Sequence, residues 1–299
     1  MINKEYYLYW IILLSIGIAW GLSFSLSVIV AISNSHPLGL VYWQVIISSI
    51  ILFALLKLKK IKFSTSFPNL IIYLIISLSG VVLPGIVFFI AATKVPAGIL
   101  SISVSFVPML TYFFSLFLRV EKFSFIRVLG VLVGLISILF LILPQNSFPE
   151  NFIIPWILLA MICPFFYTFE NLYIELKKPH DMHPVSLSLG ASLISMIILT
   201  PVILLSDSFT KIVFPFSIIE WSLLALGFIS AFAYTFFVYL ISKAGAVFAA
   251  NTGYIVTISG VIWGIILFKE THSLWVWLSL FTMICGLSLV RPKENLNNK

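Results

Sequence analysis

The chain has 299 residues, of which 61% are hydrophobic and 9% charged, against about 25% charged in an ordinary soluble domain. That balance excludes a water-soluble globular protein, which could not cover its surface with so few charges. The net charge of +7 is accounted for by contact with anionic lipid headgroups, so it is no argument for a nucleic-acid partner.

Crossing the hydrocarbon core takes about 20 mostly apolar residues in a helix. Stretches of this kind run over residues 8–32, 37–56, 70–92, 96–118 and 123–142, then 153–174, 184–205, 220–241, 245–267 and 274–290. Lipid offers no hydrogen-bond partners, so such runs must be helices or barrel strands, and runs this long without strict alternation are helices. The expectation is an all-α integral membrane protein with ten transmembrane helices. The first stretch is too long for the apolar part of a cleavable leader, and Lys4 before it is balanced by Glu5, so it is expected to stay. Cys163 and Cys285 fall at mid-helix depth and read as packing residues.

The loops orient this array. With the N-terminus inside, all but Lys94, Lys211 and Lys269 of the 17 Lys and Arg fall on the inner face, as short cytoplasmic loops require. Both termini are therefore predicted to be cytoplasmic.

The second set of five stretches echoes the first. Laid on one another without gaps at an offset of 149 positions, Lys94 pairs with Lys243, Ala97 with Ala246, Val107 with Val256, Leu118 with Leu267, Glu121 with Glu270 and Ser124 with Ser273. The reading is a duplication, residues 1–147 and 148–299, joined through a linker at 144–152 that contains Pro, Asn and Ser. Five is odd, so the second copy enters from the opposite side and the repeats are inverted, the geometry of alternating-access carriers.

Particular residues carry a family resemblance. Trp20-Gly21-Leu22-Ser23-Phe24 stands in the first helix, Pro84-Gly85 with Phe88 in the third, and Ala97-Gly98 with Ser101, Ser105 and Pro108 in the fourth. The second copy has Ala249-Ala250-Asn251, Gly260, Trp263-Gly264 and Glu270. Over nearly its whole length the chain resembles the drug/metabolite transporter superfamily, in its EamA branch of ten-helix exporters. The resemblance implies a multi-pass carrier of a bacterial cytoplasmic (inner) membrane that moves amino acids or other small metabolites, often outward. Multidrug or other hydrophobic-metabolite export is the alternative.

Small residues line single faces of the fourth helix (Ala97, Ser101, Ser105, Pro108) and of the ninth (Ala246, Ala250, Gly253, Thr257, Gly260, Gly264). Such faces permit close backbone approach, for static packing or for sliding. Gly130, Gly134 and Ser137 in the fifth helix, with Ser279 and Gly286 in the tenth, read as packing. Pro84, Pro108 and Pro164 lie near the midplane, where proline frees a carbonyl on the preceding turn.

Glu170 is the one acid or base placed well inside an apolar stretch. Either it faces a central cavity with Tyr167 and Asn171, as a site for an amine or a proton, or it pairs with Lys177 or Arg127. Trp20, Ser23, Phe88, Ser101, Ser105, Tyr234, Phe237, Asn251, Tyr254 and Trp263 complete the candidate cavity, with Trp43 and Gln44 as additions, since a mainly apolar pocket with a few polar anchors suits a small molecule. Glu121 and Glu270 read as caps of the helices that follow them. His180-Asp181-Met182-His183 reads as a solvated loop.

Other classes fit poorly. An intramembrane enzyme needs several converging acids, bases or nucleophiles, a channel needs rings of charge or carbonyls, and no phosphate loop or ATPase domain is present. No cofactor or metal is expected. The partners are a small-molecule substrate and membrane lipid, and the small faces leave monomer and homodimer both open.

Overall fold

The apolar stretches form helices, and their ends fall where the sequence supplies caps, prolines and charges. In the computed structural model the described residues are 4–33, 35–142, 154–177, 182–270 and 274–289. They form α1 (Lys4–Ala31), α2 (Pro37–Leu58), α3 (Phe67–Ala92), α4 (Ala97–Phe117), α5 (Phe125–Ile142), α6 (Pro155–Lys177), α7 (Pro184–Ser206), α8 (Ile218–Ala244), α9 (Ala246–Phe268) and α10 (Leu274–Ser288). Eight are long and apolar enough to cross a membrane, and within α5 and α10 the apolar stretches Phe125–Ser137 and Trp277–Gly286 are shorter. The proposed linker, and His180 and Asp181 of the polar loop, lie outside the described residues.

Packing at the two ends shows how the chain runs. Where α1 begins, Tyr9 and Leu13 share one hydrophobic cluster with Tyr73 early in α3, Leu187 early in α7 and Phe248 at the start of α9. Ile174 and Leu240, near the ends of α6 and α8, join them. Leu56 with Val185, and Tyr112 with Val247, form smaller clusters at the same end, and the opposite end too holds more than one group. Ala31, Ala92, Ala97 and Ala160 belong to one cluster, whereas Val30, Leu40, Ile203 and Leu223 belong to another. The start of α6 thus lies where α1 ends.

Several caps were not foreseen. The same His-Pro step opens the second helix of each half: the imidazole Nδ1 of His36 accepts from the Leu38 amide at 3.3 Å, and that of His183 from Val185 at 3.2 Å. Both satisfy an amide that a helix start leaves unpaired. Ser217 and Glu220 form a reciprocal capping box at the start of α8. Between α8 and α9 there is one residue, Gly245, at φ 89° and ψ 157°, a conformation open in practice to glycine alone.

The repeated Glu behaves differently from its expected capping role. Glu270, just past α9, turns its carboxyl back to the backbone N–H groups of Gly98 and Ala97 at the start of α4. Burial pushes this carboxyl above the usual range, and those two N–H groups pull it back down. The corresponding amide at the start of α9, Ala246 N–H, donates to Glu175 Oε2 at 2.6 Å. Glu121 pairs with Arg127 at 2.8 Å.

Small residues bring the helices close, as their single faces predicted. A Cβ on Gly260 would stand 2.4 Å from Ser101 Cβ, one on Gly21 would stand 2.8 Å from the Gly260 amide, and one on Gly286 would stand 2.8 Å from the Gly130 carbonyl. Hydroxyls knit these contacts: Thr257 Oγ1 donates to the Ser101 carbonyl at 2.9 Å, and Ser259 Oγ to that of Gly17 at 3.0 Å. The cysteines divide: Cys163 is buried as expected, whereas Cys285 lies exposed on α10 instead of packing inside.

Two stability predictions follow from these contacts. Gly260→Val is expected to lower stability by about 1–3 kcal/mol, the usual cost of overpacking, whereas Gly85→Ala, whose Cβ would meet the side chain of Val41 at 3.2 Å, should be nearly neutral in thermal unfolding in detergent. Glu175→Ala is expected to cost about 1–2 kcal/mol through the lost cap of α9; an unchanged unfolding midpoint would remove that cap from the account.

Candidate functional site

Prolines decide where the helices become irregular. Pro84 lacks an amide, and its ring crowds the carbonyl four residues earlier, that of Gly80. The chain answers with a π-helical turn, Ser77–Val82, in which Leu83 N–H bonds the Leu78 carbonyl. Insertions of this kind recur at functional sites. Pro108 stands one turn on from Val104 and Ser105, where α4 breaks into tight turns. Pro164 follows the break at Met161–Ile162 in α6. The interruption in α9 uses a different device: the Asn251 side-chain amide donates to the carbonyls of Val247 at 2.7 Å and Phe248 at 3.3 Å.

Most of these irregularities meet. A Cβ on Gly253 would stand 2.7 Å from the Val104 carbonyl, so the α4 and α9 breaks are in contact. Together with the π turn they border a cavity of about 170 Å³ set among α1, α2, α3, α4, α6, α8 and α9. Its walls are aromatic. Trp20 meets Phe237 edge to face with centroids 5.1 Å apart, Phe24 meets Phe88 in the same way at 5.1 Å, and Phe88 stacks on Tyr167 at 6.2 Å.

One carboxyl stands among these rings. Glu170 is 2% exposed, and the Tyr234 hydroxyl donates to it. Its carboxyl fills the space beside Gly80, where any Cβ would collide with it. Arg127 is engaged by Glu121, so the polar partner of Glu170 is a phenol. Beside it Asn171 is 1% exposed, and neither its Oδ1 nor its Nδ2 has a hydrogen-bond partner. The Thr252 hydroxyl on the cavity wall is likewise unpaired. Among the described residues no three His, Cys, Asp or Glu are grouped to hold a metal.

The candidate residues divide into two sets. Trp20 and Ser23 from α1, Phe88 from α3, Tyr167, Glu170 and Asn171 from α6, and Tyr234 and Phe237 from α8 all line the cavity. Gln44 joins them, whereas Trp43 donates its indole N–H to the Thr210 carbonyl at 2.7 Å and packs near Phe209. The remaining candidates stand elsewhere. Ser101 and Ser105 are fully buried in α4 and donate to the Gly98 and Ile102 carbonyls. Asn251 serves the α9 break, Tyr254 is fully buried against Gly134, and Trp263 donates to the Ile18 carbonyl at 3.3 Å.

Ser27, Gly80, Ser230 and Thr252 line the cavity without having been singled out. Helical spacing held a signal for two of them. Ser27 is one turn from Ser23, and Ser230 one turn from Tyr234, so each shares a face with a chosen residue. Gly80 was marked by standing four positions before Pro84.

Comparison with known proteins agrees with this architecture. A crystal structure described only as that of a protein, 16% identical in sequence, superposes with a TM-score of 0.69 over 95% of this chain and 97% of its own. That likeness speaks for the fold alone. No curated protein matches significantly. The profile of the EamA-like transporter family matches twice, over residues 8–143 and again over 154–291. With both halves matched in a multi-pass helical membrane protein, the chain belongs to the EamA-like transporter family.

Proposed function

We propose that this transporter is a secondary carrier working by alternating access, with α1–α5 and α6–α10 as inverted repeats and both termini on the cytoplasmic side of a bacterial inner membrane. The observation that carries the reading is a chamber within the bundle bordered by interrupted helices, the π turn of α3 and the breaks of α4 and α9, the setting in which alternating-access carriers hold their substrate.

The transported molecule is a small metabolite, an amino acid or a related compound, moved outward. Size supports this over bulky drugs, since about 170 Å³ is little more than the roughly 150 Å³ of an engineered cavity that accepts benzene. Glu170 is the group through which substrate and proton compete, because it stands on the cavity wall with the Tyr234 phenol as its hydrogen-bond partner among the described residues.

Purified protein in liposomes should show saturable counterflow of a labelled amino acid or amine, and a pH gradient should drive its accumulation. Glu170→Gln is expected to keep the fold and lose gradient-driven accumulation by roughly tenfold or more, as loss of an intramembrane proton-exchanging carboxyl predicts. Accumulation by that variant equal to wild type at every pH would remove Glu170 from the coupling. Cysteine-accessibility labelling should find both termini on the cytoplasmic face, and termini on opposite faces would overturn the inverted arrangement.

A further inference from the structure

The cavity has an uneven chemical inventory. Among its described lining residues Glu170 is the one carboxyl, and there is no Lys, Arg or His. Backbone amides do not make up the deficit of positive charge. At the α4 break the N–H groups of Val104, Ser105 and Val107 donate to Ser101, Ile102 and Val104, and at the α9 break those of Asn251 and Tyr254 donate to Phe248 and Asn251. Those five N–H groups are spent in tight turns and are not open to a carboxylate.

What the cavity does offer suits a cation. Seven aromatic side chains, Trp20, Phe24, Phe88, Phe89, Tyr167, Tyr234 and Phe237, stand in its wall, and ring faces attract organic cations. The Asn171 Oδ1 and Thr252 Oγ1 atoms are buried, unpaired and belong to residues lining the same cavity as Glu170, and Asn171 Nδ2 is unpaired beside them. A primary ammonium carries three N–H donors, and a carboxylate, an amide oxygen and a hydroxyl are three acceptors.

We propose that the chamber binds a small primary amine, a monocation on an apolar body about the size of one aromatic ring, and discriminates against molecules that carry a carboxylate, free α-amino acids included. This rests on the carrier reading above and departs from it on free amino acids: of that substrate class it keeps the related compounds, amines and amino-acid derivatives whose acid group is masked. An α-carboxylate brought into this chamber would be a desolvated charge beside the Glu170 carboxyl, with no cationic side chain among the described lining residues to meet it.

The test is a matched ligand series. Isothermal titration of the full-length protein in nanodiscs would compare phenethylamine, phenylalaninamide, phenylalanine and 3-phenylpropionate, which share one ring. The two amines without a carboxylate are expected to bind roughly tenfold or more tightly than phenylalanine, with phenylpropionate weakest, as uncompensated burial of a charge predicts. Glu170→Gln should weaken both amines. Asn171→Leu should weaken phenethylamine while sparing its N,N,N-trimethyl analogue, which keeps charge and ring but has no N–H to donate.

Phenylalanine or phenylpropionate binding as tightly as phenethylamine would overturn the proposal, and so would an absence of amine binding to correctly folded protein. Flux is read separately in proteoliposomes. Amine binding without saturable flux would sink the carrier reading and leave this site standing, whereas saturable flux of phenylalanine with no preference for amines would do the reverse.

Discussion

A helix that breaks inside lipid frees N–H and C=O groups that water cannot reach, so the protein must supply every partner itself. The architecture around the cavity follows from that constraint. Pro84 is accommodated by a π turn, and the α4 break closes through bonds that skip fewer residues than an α-helix does. The α9 break is served by the Asn251 side chain. The starts of α4 and α9 are capped from other segments, by Glu270 and Glu175. Irregular backbone is tolerated at membrane depth where it is buried in protein or lines a cavity, and here it does both.

The same constraint explains the polar groups of the chamber. Glu170 has a phenol beside it and, among the described lining residues, no Lys, Arg or His, in a wall that is otherwise mostly aromatic and aliphatic. Gly80 is needed because its missing side chain leaves the volume that the carboxyl occupies. It also belongs to the π turn, so one local distortion both re-aims α3 and makes room for the charge. Asn171 and Thr252 carry unpaired atoms in an interior where such atoms are costly. Polar atoms held in that condition are natural anchors for a bound molecule.

Packing is distributed over several clusters. One at the end where α1 begins draws on α1, α3, α6, α7, α8, α9 and α10, with smaller groups beside it, and two groups flank the chamber toward the other end. The small-residue seams between α1 and α9 and between α4 and α9 are close enough for backbone contact. Tight seams of this kind let helices move as blocks, because a close-packed interface resists gradual deformation. The one-residue connection at Gly245, between α8 and α9, makes the end of one block the start of the next.

The helices could be read from the chain because the bilayer demands length and apolarity, and both are local properties. Helix positions, the small faces of α4 and α9 and the disturbances at Pro84, Pro108 and Pro164 were legible for that reason, as was an acid set deep in an apolar stretch at Glu170. Which side chains met was not legible. Ser101, Asn251 and Tyr254 looked like cavity residues from depth and polarity, yet they serve seams and helix breaks, while Gly80 and Thr252 drew no notice and stand at the cavity wall. Glu270 illustrates the same limit: its place after α9 was evident, but its reach back to the start of α4 depends on how distant segments pack. Sequence by itself determined the number and kind of apolar segments, since lipid screens each one separately. Tertiary structure alone decided which faces look inward, because that choice depends on rotation and contact between helices far apart in the chain.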